Sequence, residues 1–191
     1  MRVLVGVTGG IAAYKAADLV STLVKRGDEV RVVMTRNATR FVGPITFEAL
    51  SSHPVMVDAL ATGQGTDGAS SIEHISWAKW AETVVVAPLT ASTLARIAIG
   101  LADDALTTVL LAIPSGIPIL LCPAMNTAMW EQPVVRRNLA WVEELGRATI
   151  LDPVDKRLAC GDVGVGGLPD VADIVRVMDG LRAPSTLSAA R

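Results

Sequence analysis

The chain has 191 residues, of which 51% are apolar and only 19% charged, with a formal net charge of −2. That length and apolar share describe one domain with a large buried fraction; they exclude intrinsic disorder, and the charge gives no basic footprint for nucleic acid or an anionic membrane. With only two cysteines and two histidines the chain offers neither a Cys₄ nor a Cys₂His₂ zinc site of the usual spacing, so no metal is expected, and Cys122 and Cys160 fit a reducing cytoplasm.

Val3 to Val7 is a continuous apolar run, the pattern of a strand covered on both faces. Thr8-Gly9-Gly10 turns the chain. Ala16, Leu19, Val20, Leu23 and Val24 then recur at helical spacing, and Gly27 is a suitable stop. Val30 to Met34 supplies a second strand, so the first segment reads as a βαβ unit. Thr83 to Ala87 is the next strand, expected to end at Pro88. Ser92 to Ile99 predicts a helix closed by Gly100, and Asp103 is placed to cap another that runs to about Ile113. Ile117 to Cys122 reads as a buried strand. Pro133 opens a helix carrying Val135, Leu139 and Val142. Ala148 to Leu151 is a last strand, and Val171, Ile174, Val175 and Met178 form a closing helix ended by Gly180.

This alternation predicts an α/β fold: a flavodoxin-like or Rossmann-like three-layer sandwich with a mainly parallel sheet. Residues 1–182 are expected to be one domain and 183–191 a tail or the start of a linker. The uncharged stretch Ala105 to Trp130 is long enough for a membrane span. Its Pro114, Ser115, Gly116, Pro118, Pro123 and Asn126 read instead as a helix end, a turn and a buried strand. Two segments fit no regular element: the Gly/Ser/Thr-rich 61–71, expected to be a mobile loop, and the Gly-rich 152–170.

Ligands of open α/β sheets bind beyond the carboxyl ends of the strands. That rule selects the loops Thr8 to Ile11, Thr35 to Thr39, Pro88 to Thr93 and Pro123 to Trp130. The first three combine small residues, hydroxyls and amides near helix starts, a chemistry that can hold a phosphate. The first loop is not a GxGxxG fingerprint, and Met34-Thr35-Arg36 offers no acidic ribose partner. A mononucleotide is therefore favoured over a dinucleotide, although Gly9-Gly10 also suits a plain βα turn. In the fourth loop, Met125, Met129 and Trp130 can wall a flat ring, or fill a subunit interface, and Asn126 can grip a carboxylate or an amide.

Pro123-Ala124-Met125-Asn126-Thr127-Ala128-Met129-Trp130 matches the PxMNxxMW signature of the homo-oligomeric flavin-containing cysteine decarboxylases. Ala87 to Leu94 resembles their PASANT loop, with Ser92 where Asn is common. Val7 to Lys15 resembles their opening loop, and Ile72-Glu73-His74-Ile75 their histidine segment. Leu158 to Gly166 is similar to the ACGDxGxG stretch of members that serve coenzyme A biosynthesis. Together these cover about residues 2–180.

The resemblance implies a lyase that uses FMN to decarboxylate 4′-phosphopantothenoyl-cysteine to 4′-phosphopantetheine, built as a trimer or dodecamer, in the cytoplasm. It implies His74 as the base that prepares the thiol, Asn126 as a catalytic contact to the substrate carboxylate and Cys160 as the proton donor. It also assigns Gly9, Gly10, Ile11, Thr35, Thr90, Ala91, Ser92, Thr93 and Ala124 to the cofactor, and Asn126, Arg157, Ala159 and Leu168 to the substrate. A free thiol, mostly protonated near neutrality, suits the role of Cys160, and a partly neutral imidazole that of His74. A peptidyl-cysteine oxidative decarboxylase would need no Cys160, and a flavin-binding regulatory subunit without catalysis is the other alternative. Three departures stand out. Gly167-Leu168 replaces Arg-Met or Ala-Met, and Asp103-Asp104 replaces a pair of one Asn and one Asp. Bifunctional relatives continue into a CTP-using ligase domain, so this chain is expected to be monofunctional or an excised domain.

Overall fold

The structure is a computed structural model that describes residues 1–58, 73–157 and 163–181. The segment 61–71, the tail from Ala183, and Ala159 and Cys160 of the substrate segment lie outside the described residues.

Six strands form one parallel sheet: β1 (Arg2–Val7), β2 (Glu29–Met34), β3 (Val55–Met56), β4 (Thr83–Leu89), β5 (Ile119–Pro123) and β6 (Thr149–Ile150). Their order is β3-β2-β1-β4-β5-β6, the doubly wound arrangement whose direction of winding reverses between β1 and β4. The continuous apolar runs follow from cover on both faces. Val3, Val5 and Val7 face α1 (Ala13–Lys25) and α8 (Val171–Gly180). Leu4 of the same strand faces the opposite core, with α3 (Glu73–Trp80), α4 (Ala91–Ile99), α5 (Ala105–Ala112) and α7 (Pro133–Glu144). The sequence period is thus 2 in each strand, but both faces are apolar.

In α1 the predicted stripe is the buried one: Ala16, Leu19, Val20 and Leu23 are inside. A 3₁₀ turn at Ala38–Arg40 and α2 (Pro44–Ser51) fill the space between β2 and β3. The aromatic segment after His74 is helical, as α3, and Trp77 and Ala78 are buried in it. The Arg31 guanidinium of β2 lies over both rings that follow, 5.3 Å from Trp77 and 4.5 Å from Trp80.

Four expectations need correction. Strand β4 does not end before Pro88 but runs through it to Leu89, by way of a cis Ala87–Pro88 peptide. A register shift between Val86 and Leu89 lets Leu89 pair with Pro123 although Pro88 has no N–H to give. The cap of α5 is Asp104, not Asp103: its Oδ1 accepts from the Thr107 amide at 2.8 Å, and the Thr107 hydroxyl reaches back to complete a capping box. The Pro123–Trp130 loop contains a short helix, α6 (Thr127–Trp130). The Gly-rich 152–170 segment holds an antiparallel pair, β7 (Val154–Arg157) and β8 (Val163–Gly167).

Candidate functional site

The loops that follow β1, β2, β4 and β5 surround one cavity of about 960 Å³, within the range of small-molecule and cofactor sites. Its walls include Gly9, Gly10, Ile11, Thr35, Thr90, Ala91, Ser92, Thr93, Ala124, Asn126 and Leu168. These eleven residues come from five separate stretches of sequence. A second hollow of about 390 Å³, between α4, α5 and α7, is lined mostly by apolar side chains and holds none of them.

The first and second loops touch so closely that only glycine fits at position 9. A Cβ there would stand 2.5 Å from Asn37 Cβ and 2.8 Å from its carbonyl carbon. Thr35 is nearly buried. Its Oγ1 accepts from the Ala38 amide at 3.3 Å, and its hydroxyl proton meets no acceptor among the described residues. Thr90 caps α4 and accepts from the Thr93 amide, while the first-turn amides of Ala91 and Ser92 have no acceptor within the helix. Ser92 Oγ accepts from Arg96 Nη1 at 2.6 Å, and Arg96 Nε pairs with Asp103 Oδ1 at 2.8 Å. Lys15, Arg36 and Arg96 on the wall thus stand against Asp103 and Asp104. Hydroxyls, open helix-start amides and flanking cations make a donor set for an anionic group such as a phosphate.

Met125 and Met129 supply the apolar wall. Trp130 does not: it is buried in the core below, with Arg136 over its ring at 4.6 Å. Asn126 caps α6, with Oδ1 accepting from the Ala128 amide at 2.9 Å. The loop is itself held by the hairpin, since the Met125 amide donates to Gly166 carbonyl oxygen at 3.0 Å. A Cβ at Gly166 would collide with the Met125 carbonyl oxygen, so the hairpin approaches this closely only with glycine there.

His74 is not on the cavity wall of its own chain. It sits in the first turn of α3, which packs on α5, and its Nδ1 is buried without a hydrogen-bond partner among the described residues. Arg157 is the last residue of β7. Cys122 is buried at the end of β5, where desolvation pushes its thiol up, so it stays a protonated core residue. Sequence reading did not single out Arg96, Tyr14 or the backbone of Gly166 as wall residues. Arg96 carried a usable signal: it lies four residues after Ser92 and therefore on the same helix face.

The model of the Flavoprotein family matches residues 1–183, and the chain belongs to that family. Among its relatives, a probable phosphopantothenoylcysteine decarboxylase of Streptococcus mutans is 42% identical over 178 residues, covering 93% of this chain and 97% of that one. The coenzyme A biosynthesis bifunctional protein CoaBC of Bacillus subtilis is 44% identical over 93% of this chain, which spans only 42% of that protein's length. A solved PPC decarboxylase variant complexed with pantothenoylaminoethenethiol superposes with a TM-score of 0.81 at 33% identity, over 94% of this chain and 98% of that one. The FMN-dependent cysteine decarboxylase SpaF does so at 0.78 and 31% identity, over 93% and 94%.

Proposed function

We propose that this chain is an FMN-dependent phosphopantothenoylcysteine decarboxylase, converting 4′-phosphopantothenoyl-cysteine to 4′-phosphopantetheine in coenzyme A biosynthesis. The observation that carries the reading is convergence: residues matched in separate motifs line one cavity of about 960 Å³. Gly9, Gly10, Ile11, Thr35, the Thr90–Thr93 turn and Ala124 would hold FMN; their amides and hydroxyls fit its phosphate and polar ring edge. When bound, FMN supplies the two-electron chemistry without which a plain carboxylate has nowhere to put the charge left by CO₂.

The remaining work falls to side chains. Asn126 donates from Nδ2 to the substrate carboxylate and fixes its orientation. Met125 and Met129 exclude water from that end of the cavity. His74 takes the thiol proton as general base, and Cys160 returns a proton to carbon. Arg157, Ala159 and Leu168 contact the rest of the substrate. The active form is a trimer or a multiple of it, located in the cytoplasm, with residues 1–182 as its single flavin-binding domain. Among the described residues no helix is long and apolar enough to cross a membrane.

The test is direct. The purified chain should show a flavin absorption spectrum and release CO₂ from 4′-phosphopantothenoyl-cysteine with 4′-phosphopantetheine as product. A chain that gains no flavin absorbance with added FMN would overturn the reading.

A further inference from the structure

The cavity opens where the sheet reverses its winding, between β1 and β4, and the structure leaves few bonds across that gap. Backbone pairing of β1 with β4 runs from Val3↔Thr83 to Gly6↔Val86 and stops there. Strand β4 continues for three more residues and the chain then enters the α4 cap. Beyond Gly6 no further residue pair of the two strands is in register among the described residues, yet both following loops line one cavity.

One buried side chain joins them. Thr8 is 0% exposed. Its Oγ1 donates to the Pro88 carbonyl oxygen at 2.8 Å and accepts from the Thr90 amide at 3.0 Å. A single hydroxyl thus continues the β1–β4 ladder by one rung on each side of Leu89. Pro88 has no amide to anchor this stretch, so its carbonyl carries the attachment. Thr90 is the cap of α4, and its own Oγ1 accepts from the Thr93 amide. Where Thr8 fixes Thr90, it therefore fixes the whole first turn, Ala91 to Thr93. Gly10, two residues after Thr8, faces Thr90 across the cradle: a Cβ there would lie 3.6 Å from Thr90 Cγ2.

The hydroxyl has only one proton, and Pro88 receives it. Thr8 has nothing left to donate to a phosphate, although it belongs to the loop that the sequence marks for that role. We propose that Thr8 is a positioning residue: it sets the spacing between the first and third cofactor loops without touching the cofactor. This rests on the flavin-binding reading of the cavity.

Thr8→Val keeps the shape and removes both hydrogen bonds, leaving a buried carbonyl and a buried amide unpaired. FMN titrated into the full chain should bind on the order of tenfold more weakly in this variant. Thr8→Ser keeps both bonds and should bind within about threefold of the parent. A role in overall stability alone predicts a lower melting temperature with unchanged FMN affinity, and that result would overturn the proposal. So would equal weakening by Val and Ser. Hydrogen exchange of the parent chain adds a measurement that needs no variant. The Thr90 amide should be protected to the same degree before and after FMN is added, since Thr8 holds it in both states. A Thr90 amide that exchanges like an open loop would remove the clip, whatever the chain binds; a protected Thr90 in a chain that binds no FMN would instead count against the flavin reading.

Discussion

At the scale of single residues, the site separates groups that hold the protein together from groups left for a ligand. Asn126 caps α6 through Oδ1 at the Ala128 amide, and in the function proposed above its Nδ2 donates to the substrate carboxylate. Aspartate caps a helix as well as asparagine. Asn126→Asp should therefore keep the fold and FMN affinity while it replaces the donor with a second anionic oxygen. Like-charge repulsion in a desolvated cavity should cut kcat by about a hundredfold or more, read by CO₂ release. Unchanged turnover would take Asn126 away from the carboxylate. The two cysteines divide similarly. Burial keeps Cys122 protonated and inert; it is the resemblance that assigns the proton return to Cys160. Cys160→Ser should still bind FMN and release CO₂, because those events precede the proton return. A serine hydroxyl is far less acidic than a thiol of pKa about 8.5. Its product should be lighter than 4′-phosphopantetheine by one H₂, seen by single-turnover mass spectrometry. Normal product from the variant would remove Cys160 from the mechanism. A parent chain that itself yields the lighter product would favour the peptidyl-cysteine type of chemistry.

At the scale of elements, the hairpin β7–β8 is the part tied most tightly to the site. Gly166 lies against the Met125 carbonyl, and a Cβ at Gly164 would stand 2.7 Å from Thr127 Oγ1. Gly166→Ala should push the hairpin off the Met125–Asn126 backbone and cost about 1–3 kcal/mol of stability. Because it moves the Asn126 loop rather than the loops proposed to hold the FMN phosphate, kcat/KM should fall further than FMN affinity. An alanine variant with parental kinetics would show that the contact is incidental. This element was also the least legible in the sequence. Its glycines are there for close approach to another loop, a reason invisible in a single sequence, and so they resembled loop composition. The strands β1, β2, β4 and β5 were legible because cover on both faces leaves unbroken apolar runs such as Val3 to Val7. Where two adjacent residues had the same chemistry, local pattern failed. Asp104 rather than Asp103 caps α5 because Asp103 is drawn to Arg96, a partner on another helix.

At the scale of the whole molecule, topology made the cavity legible before any geometry. The carboxyl-end rule selected four loops, and all four line it. What that rule cannot see is a residue that must reach the site from elsewhere. His74, the base in the function proposed above, lies on α3, off the wall of this cavity, with Nδ1 buried and without a hydrogen-bond partner among the described residues. The chain also exposes large apolar side chains beside the cavity mouth, with Ile11 and Tyr14 each 61% and Met129 47% accessible. An apolar rim of this kind suits coverage by another protein surface. In the trimer-based enzyme proposed above, a neighbouring copy would cover the rim and bring its His74 to the cavity. The consequence is measurable. His74→Asn and Asn126→Asp chains should each form oligomers that bind FMN but turn over poorly. Mixed and allowed to exchange subunits, they should regain activity, because some interfaces then pair an intact His74 with an intact Asn126 cavity. Sedimentation of the mixture should give a multiple of the chain mass. Exchange confirmed by mass spectrometry with no recovered activity would place His74 and Asn126 in the same chain's site, or His74 outside the chemistry altogether.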